Sequence, residues 1–436
     1  MSRSKMDEGN SSAPGPWHTV PIEEYTLPPD ARTNLVKKRW KALRQRFSGE
    51  DGEAEVFRAE ADLRELPNVR LAHIVPPIDW SSAARSLAQA FSEVTQGGIL
   101  KPGARSSKSE DTTPWFFVSQ PYCDHGSILE NWAAEHHARV WQPPGTEQIL
   151  NGDSAWLETL PKGNGQPWVL PALERCFFRH ANGLDLLRGF MERALSGEWG
   201  PGIIGCDSWA FAFVQRIFPL TGAPAMTLQA FDGPMLADYF VRGRTTPASR
   251  NQIRFFSARS GEPLVPDETQ DAYASTGAPS GDEQDLPEFR QLAAHCQGNP
   301  GLAWHYWRKQ LRSEPETEQQ DRAEVRETGG TTQNTDGPGS SDNVWVAQDV
   351  ETPPMPAETD EDVAFVLHAI LLHRGLTTDL LTLLLPSPRA RIASQLLRLQ
   401  ALGLLTRDGE RWQVAPLAYS TVREFLRVRR YLTDAF

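Results

Sequence analysis

The sequence predicts an α/β chain with a five-stranded, mainly parallel sheet, followed by a helical lid and a small C-terminal helical unit. Three observations predict it. Short apolar runs alternate with amphipathic stretches between residues 114 and 230, the pattern of parallel strands joined by helices. Residues 287–311 read as helix, broken at Gly298-Asn299-Pro300. Residues 361–436 read as three helices, a hairpin and a closing helix.

The 436 residues suggest two or three domains at about 150 residues each. Only 39% of residues are apolar, so disordered linkers are expected between the folded parts. The formal net charge is −12, yet residues 261–360 alone hold 20 Asp+Glu and 6 Lys+Arg. That stretch carries −14, which leaves about +2 for the rest. The acidity therefore belongs to the linkers and neither requires nor excludes an anionic partner. No run of about 18 apolar residues exists, so no membrane span is expected. The N-terminus lacks the apolar core of a secretory signal. Cys123, Cys176, Cys206 and Cys296 lie far apart, which excludes a disulfide-rich scaffold and fits a reduced, cytoplasmic compartment.

Along the chain, residues 1–33 read as a disordered leader and 34–113 as an N-terminal extension. Within the extension, Leu35, Trp40, Leu43 and Phe47 sit at helical spacing in a basic segment, 34–47. A solvated helix face is its simplest reading, and an anionic surface the alternative. Val69–Ile78 resembles a strand, and Asp79 caps a helix carrying Trp80, Ala84, Leu87 and Phe91. Residues 97–113 read as a loop. The core spans 114–259. Its strands are Trp115–Ser119, Arg139–Gln142, Trp168–Leu170, Gly202–Cys206 and Met226–Ala230. Its helices are Ser127–His137, Leu184–Leu195 and Trp209–Phe218. A linker at 260–285, a helical lid at 286–312 and a disordered acidic linker at 313–360 follow. In residues 361–436, helices Asp362–His373, Thr377–Leu385 and Arg389–Leu402 precede a hairpin around Asp408-Gly409 and a helix at Leu417–Leu432. That order is a winged helix-turn-helix.

A strand, a polar turn and a helix opening on Ser is the setting of a phosphate-binding loop, G-x-x-x-x-G-K-[ST]. Here the stretch is Gln120-Pro121-Tyr122-Cys123-Asp124-His125-Gly126-Ser127. Gln120 and His125 stand where glycines would let backbone N–H groups wrap a phosphate, and Gly126 stands where a lysine would meet its charge. Asp124 adds a negative charge, and Lys162 is the sole lysine between Lys108 and Lys309. The third strand ends in Pro171 where an Mg²⁺-binding Asp would sit, with Glu174 three residues on. Asp207, after the fourth strand, is the best-placed carboxylate, because ligands bind outside the carboxyl ends of parallel strands. Pro102–Ser109 ends in Lys108-Ser109 but lacks the flanking strand and helix.

These pieces resemble the AAA+/STAND group of P-loop ATPases with a C-terminal winged helix, over roughly residues 67–436 without the linkers. Gly298-Asn299-Pro300-Gly301 looks like the group's G-x-P lid motif. The resemblance implies a P-loop NTPase-like core whose cofactors would be ATP and Mg²⁺, held at Gly126, Ser127, Glu174 and Asp207. The eroded motifs imply a pseudo-ATPase, a regulator or scaffold that is non-catalytic or binds nucleotide weakly and acts through protein partners. An atypical ATPase using Arg, Asp207 or Glu174 is one alternative. A DNA-binding regulator is another, with Arg389, Arg391, Arg398 and Arg411 of the winged helix on the nucleic acid. Residues 361–436 hold 10 basic and 7 acidic residues, a thin balance for a DNA-binding face. Cys123, His125, His136 and His137 lack a recognisable zinc spacing. Ser127, His125 and Asp207 lack a nucleophile elbow.

Overall fold

The computed structural model describes residues 16–28, 63–96, 113–161, 166–220, 222–241, 253–264, 286–314, 342–347, 350, 352–357 and 359–436. The basic segment 34–47, residues 97–112 and most of the two expected linkers lie outside the described residues.

Strands β1 (Thr19–Pro21), β3 (Trp115–Ser119), β4 (Arg139–Val140), β5 (Trp168–Leu170), β6 (Gly202–Asp207) and β7 (Ala225–Leu228) form a six-stranded sheet. Its order is β1-β7-β3-β6-β5-β4, parallel except for β1 on β7. β6 is buried at every residue and β3 at all but its first, as expected of strands covered on both faces. The sixth strand corrects the five expected. It comes from the leader read as disordered, where Trp17 packs 4.8 Å from Phe231 and Val20 pairs with Thr227.

A second sheet, in the order β2-β9-β10-β8, was not foreseen. It joins β2 (Arg64–Glu65), β8 (Ile253–Ser257), β9 (Leu311–Ser313) and β10 (Asp342–Val346). β10 falls inside 313–360, so that stretch is not wholly disordered. Val344 and Val346 are buried there, and Trp345 donates to Glu314 at 3.0 Å.

The helices are α1 (Asn68–Ile74), α2 (Ser81–Gln96), α3 (His125–Glu135), α4 (Thr146–Asn151), α5 (Ala155–Thr159), α6 (Asp185–Leu195), α7 (Ser208–Ile217), α8 (Gly233–Phe240), α9 (Pro287–Cys296) and α10 (Pro300–Gln310). The C-terminal unit adds α11 (Glu361–Leu372), α12 (Thr378–Leu384), α13 (Arg389–Ala401), the hairpin β11 (Leu405–Asp408) and β12 (Arg411–Val414), and α14 (Tyr419–Val428). The α1 segment was expected to be a strand. Ile74 and Val75 are buried while Val69 is 86% exposed, so its burial follows a helical face despite its β-branched residues. One apolar core runs through the sheet, helices α9 and α10 and the C-terminal unit, from Trp17 through Phe117 and Trp307 to Leu396. No described helix is long and apolar enough to cross a membrane.

Candidate functional site

A cavity of about 420 Å³ lies at the carboxyl ends of β3 and β6, closed on one side by the C-terminal unit. Ser119 and Asp207 are register partners there, so the polar turn after β3 and the start of α7 face each other across it.

The turn is built by its own side chains. α3 begins at His125, not Ser127, because Asp124 caps it. The Asp124 carboxylate accepts the Ser127 N–H at 3.5 Å and the Ser127 hydroxyl at 2.6 Å. A carboxylate at a helix N-terminus satisfies otherwise free N–H groups. The start of α10 and the turn are tied through the G-N-P-G stretch. Buried Asn299 donates to Pro121 O at 2.8 Å, accepts the Leu302 N–H at 2.9 Å and accepts from the Cys123 thiol at 3.2 Å. A Cβ on Gly301 would lie 2.2 Å from the Tyr122 carbonyl oxygen, so only glycine permits this approach.

Three of the four residues expected to hold a cofactor, Gly126, Ser127 and Asp207, line the cavity. Glu174 lies behind it, fully buried. Its carboxylate meets His125 Nε2 at 3.0 Å and accepts the Asp207 N–H at 3.3 Å. Arg374, in the turn after α11, completes the cluster from the C-terminal unit. Its guanidinium lies 3.3 Å from Asp124 and 4.0 Å from Glu174. The sequence reading missed Arg374. A single Arg at a helix C-terminus looks like ordinary dipole compensation in the sequence; only the structure shows its left-handed backbone, φ 48°, beside Gly375.

The charges follow from this packing. Burial raises the Glu174 carboxyl, but His125 and Arg374 outweigh it and hold it down at about 2. Burial and the neighbouring Glu174 charge push Asp207 well above the usual carboxylate range, toward its neutral form. Asp124 stays low because Ser127 and Arg374 overcome its partial burial.

Mg²⁺ and ATP fit this arrangement poorly. Glu174 is consumed by His125 and Arg374, Asp207 is pushed toward its neutral form and caps α7, and a carboxylate already occupies the helix start where a phosphate would go. The Ser127, His125, Asp207 grouping is not a triad. Ser127 bonds Asp124, His125 bonds Glu174, and Asp207 caps α7 through the Trp209 N–H at 3.0 Å. Nor do Cys123, His125, His136 and His137 converge. Burial pushes the Cys123 thiol up to about 12, and His136 stacks on Trp132 at 4.4 Å.

The four arginines of the expected nucleic-acid face separate into different roles. Arg389 pairs with Asp379 at 2.8 Å, and Arg391 with Asp360 and Asp362 at 2.8 and 2.7 Å. Arg411 turns inward and donates to the Gly375 carbonyl at 3.3 Å. Arg398 lies exposed near the C-terminal end of α13. No protein-family model matches the chain, and no curated protein is detectably similar to it.

Proposed function

We propose that this chain is a non-catalytic regulator or scaffold of AAA+/STAND type, in which internal ion pairs stand where nucleotide would sit. One observation carries the reading: Arg374 of the C-terminal unit sits on Asp124 and Glu174, across the turn after β3. The parallel sheet, the cavity at its carboxyl ends and the glycine-mediated lid contact support the P-loop-like core. The order of three helices, hairpin and closing helix supports a winged helix. Work through protein partners, not DNA, is favoured at that unit. Arg389 and Arg391 are already paired, while Leu383 and Leu397 are 52% and 61% exposed.

Calorimetric titration with ATP and Mg²⁺ tests the reading, on the wild type and on Asp207→Ala. The expected result is no saturable heat with ATP in the millimolar range. Micromolar binding that Asp207→Ala weakens would overturn it in favour of an atypical ATPase.

A further inference from the structure

A second cavity, of about 480 Å³, opens between α1, α10, β9 and the C-terminal hairpin. That volume suits a small ligand. Arg308, Lys309 and Arg312 line it against one carboxylate, Glu65, which pairs with Lys309. Arg308 and Arg312 form no ion pair within 4.0 Å among the described residues, and Glu65 acts on Arg312 as well as Lys309, so the lining holds three cations against one carboxylate.

Backbone carbonyls position both guanidiniums. Arg308 Nη1 donates to the carbonyls of Val75 at 2.7 Å and Leu71 at 3.4 Å. Its guanidinium lies 4.6 Å over the Trp304 ring, and Trp304 is itself fixed by donating to Pro76 O at 2.8 Å. Arg308 Nε and Nη2 have no acceptor among the described residues. Arg312 Nη1 is fixed on the Lys309 and Leu311 carbonyls. His305 packs on Tyr122 and Trp304 and makes no hydrogen bond among the described residues. Burial, with help from Arg308, holds its imidazole down at about 4, so it is neutral and offers one N–H donor at neutral pH. Leu66, Leu71 and Leu417 supply an apolar wall.

We propose that this cavity binds a small organic anion, a phosphate monoester or carboxylate on an apolar body, whose charged oxygens meet Arg308 and Arg312. Anchored arginines with unused N–H groups suit such oxygens because charge-assisted bonds form without further ordering. The ligand would bridge the lid helix and the hairpin, so binding stabilises the full chain by mass action. This inference is independent of the reading of the first cavity.

The test is thermal unfolding of the full chain against phenyl phosphate and against benzoate, with sodium chloride matched for ionic strength. The expected result is a saturable rise in midpoint with at least one probe, and the stronger probe names the anionic group. Arg312→Gln and Arg308→Gln should each weaken the apparent affinity by about tenfold, while Arg188→Gln, at an exposed pair on α6, should not. Arg312→Gln leaves the Arg308 anchor intact and so separates ligand loss from misfolding. The proposal is overturned by no saturable rise with either probe up to about 10 mM, or by an unchanged affinity in both cavity variants.

Discussion

Glu174 has three partners and no solvent: His125, the Asp207 N–H and the Arg374 guanidinium. Removing one member of a buried charged set leaves the others unpaired, so Glu174→Gln should destabilise the protein by about 3 kcal/mol. Chemical denaturation measures this, and a loss within experimental error would contradict the cluster. Asp207 gives a separate pH signature. Its folded pKa is raised above the unfolded value, so its contribution is fully present below the unfolded pKa of about 4. It is lost as pH rises toward the folded value. Asp207→Asn keeps the acceptor for Trp209 and cannot ionise. Its stability relative to wild type should therefore rise from pH 4 toward neutrality. Parallel pH profiles would show that Asp207 ionises normally.

At the scale of elements, helix α10 rests on the turn after β3 through Gly301 and Asn299. Gly301→Ala drives a methyl into the Tyr122 carbonyl, and nothing flexible lies there to give way. Overpacking of this kind costs about 1–3 kcal/mol. The midpoint of unfolding should fall accordingly, and a neutral Gly301→Ala would mean that α10 and the turn do not touch. The helix break at Gly298-Asn299-Pro300 was legible in the sequence, but the approach of Gly301 to Tyr122 was not, because it joins residues far apart in the chain. The parallel strands were legible too, since β3 and β6 are continuous apolar runs. The second sheet was not. Its strands have two to five residues, and Arg64 pairs with Ser313 across most of the chain. Pairing at that distance leaves no local pattern. β1 was hidden in the same way: three residues in a Pro- and Ser-rich stretch become a strand only because β7 offers an edge. In α1, Val69, Ile74, Val75 and Ile78 suggested a strand by composition, and tertiary packing decided otherwise.

For the whole molecule, the C-terminal unit and the core share buried polar contacts as well as apolar ones. Ser208 donates to Asp434 at 2.7 Å, Trp209 Nε1 donates to the Tyr419 hydroxyl at 3.0 Å, and Tyr122 donates to the Val414 carbonyl at 2.7 Å. Buried histidines add an acid response. Burial lowers His305, His368 and His373 to about 4 each. A histidine held neutral stabilises the fold above its unfolded pKa of about 6.5, and that stability is lost as pH falls toward the folded value. Midpoints should therefore drop progressively from pH 6.5 to 4, and His373→Phe, placed between Phe177 and Phe178, should flatten the profile. A profile that is level over this window would contradict neutral burial of the three rings.

Arg374 and Asp124 act on each other across the turn after β3. A double-mutant cycle of Arg374→Gln and Asp124→Asn, read by denaturant unfolding, tests it most directly, because Asn keeps an acceptor for the α3 cap. With the Asp124 side chain 41% exposed, screening places the expected coupling near about 1 kcal/mol, favourable to the native pair. Strictly additive effects of the two substitutions would contradict the claim.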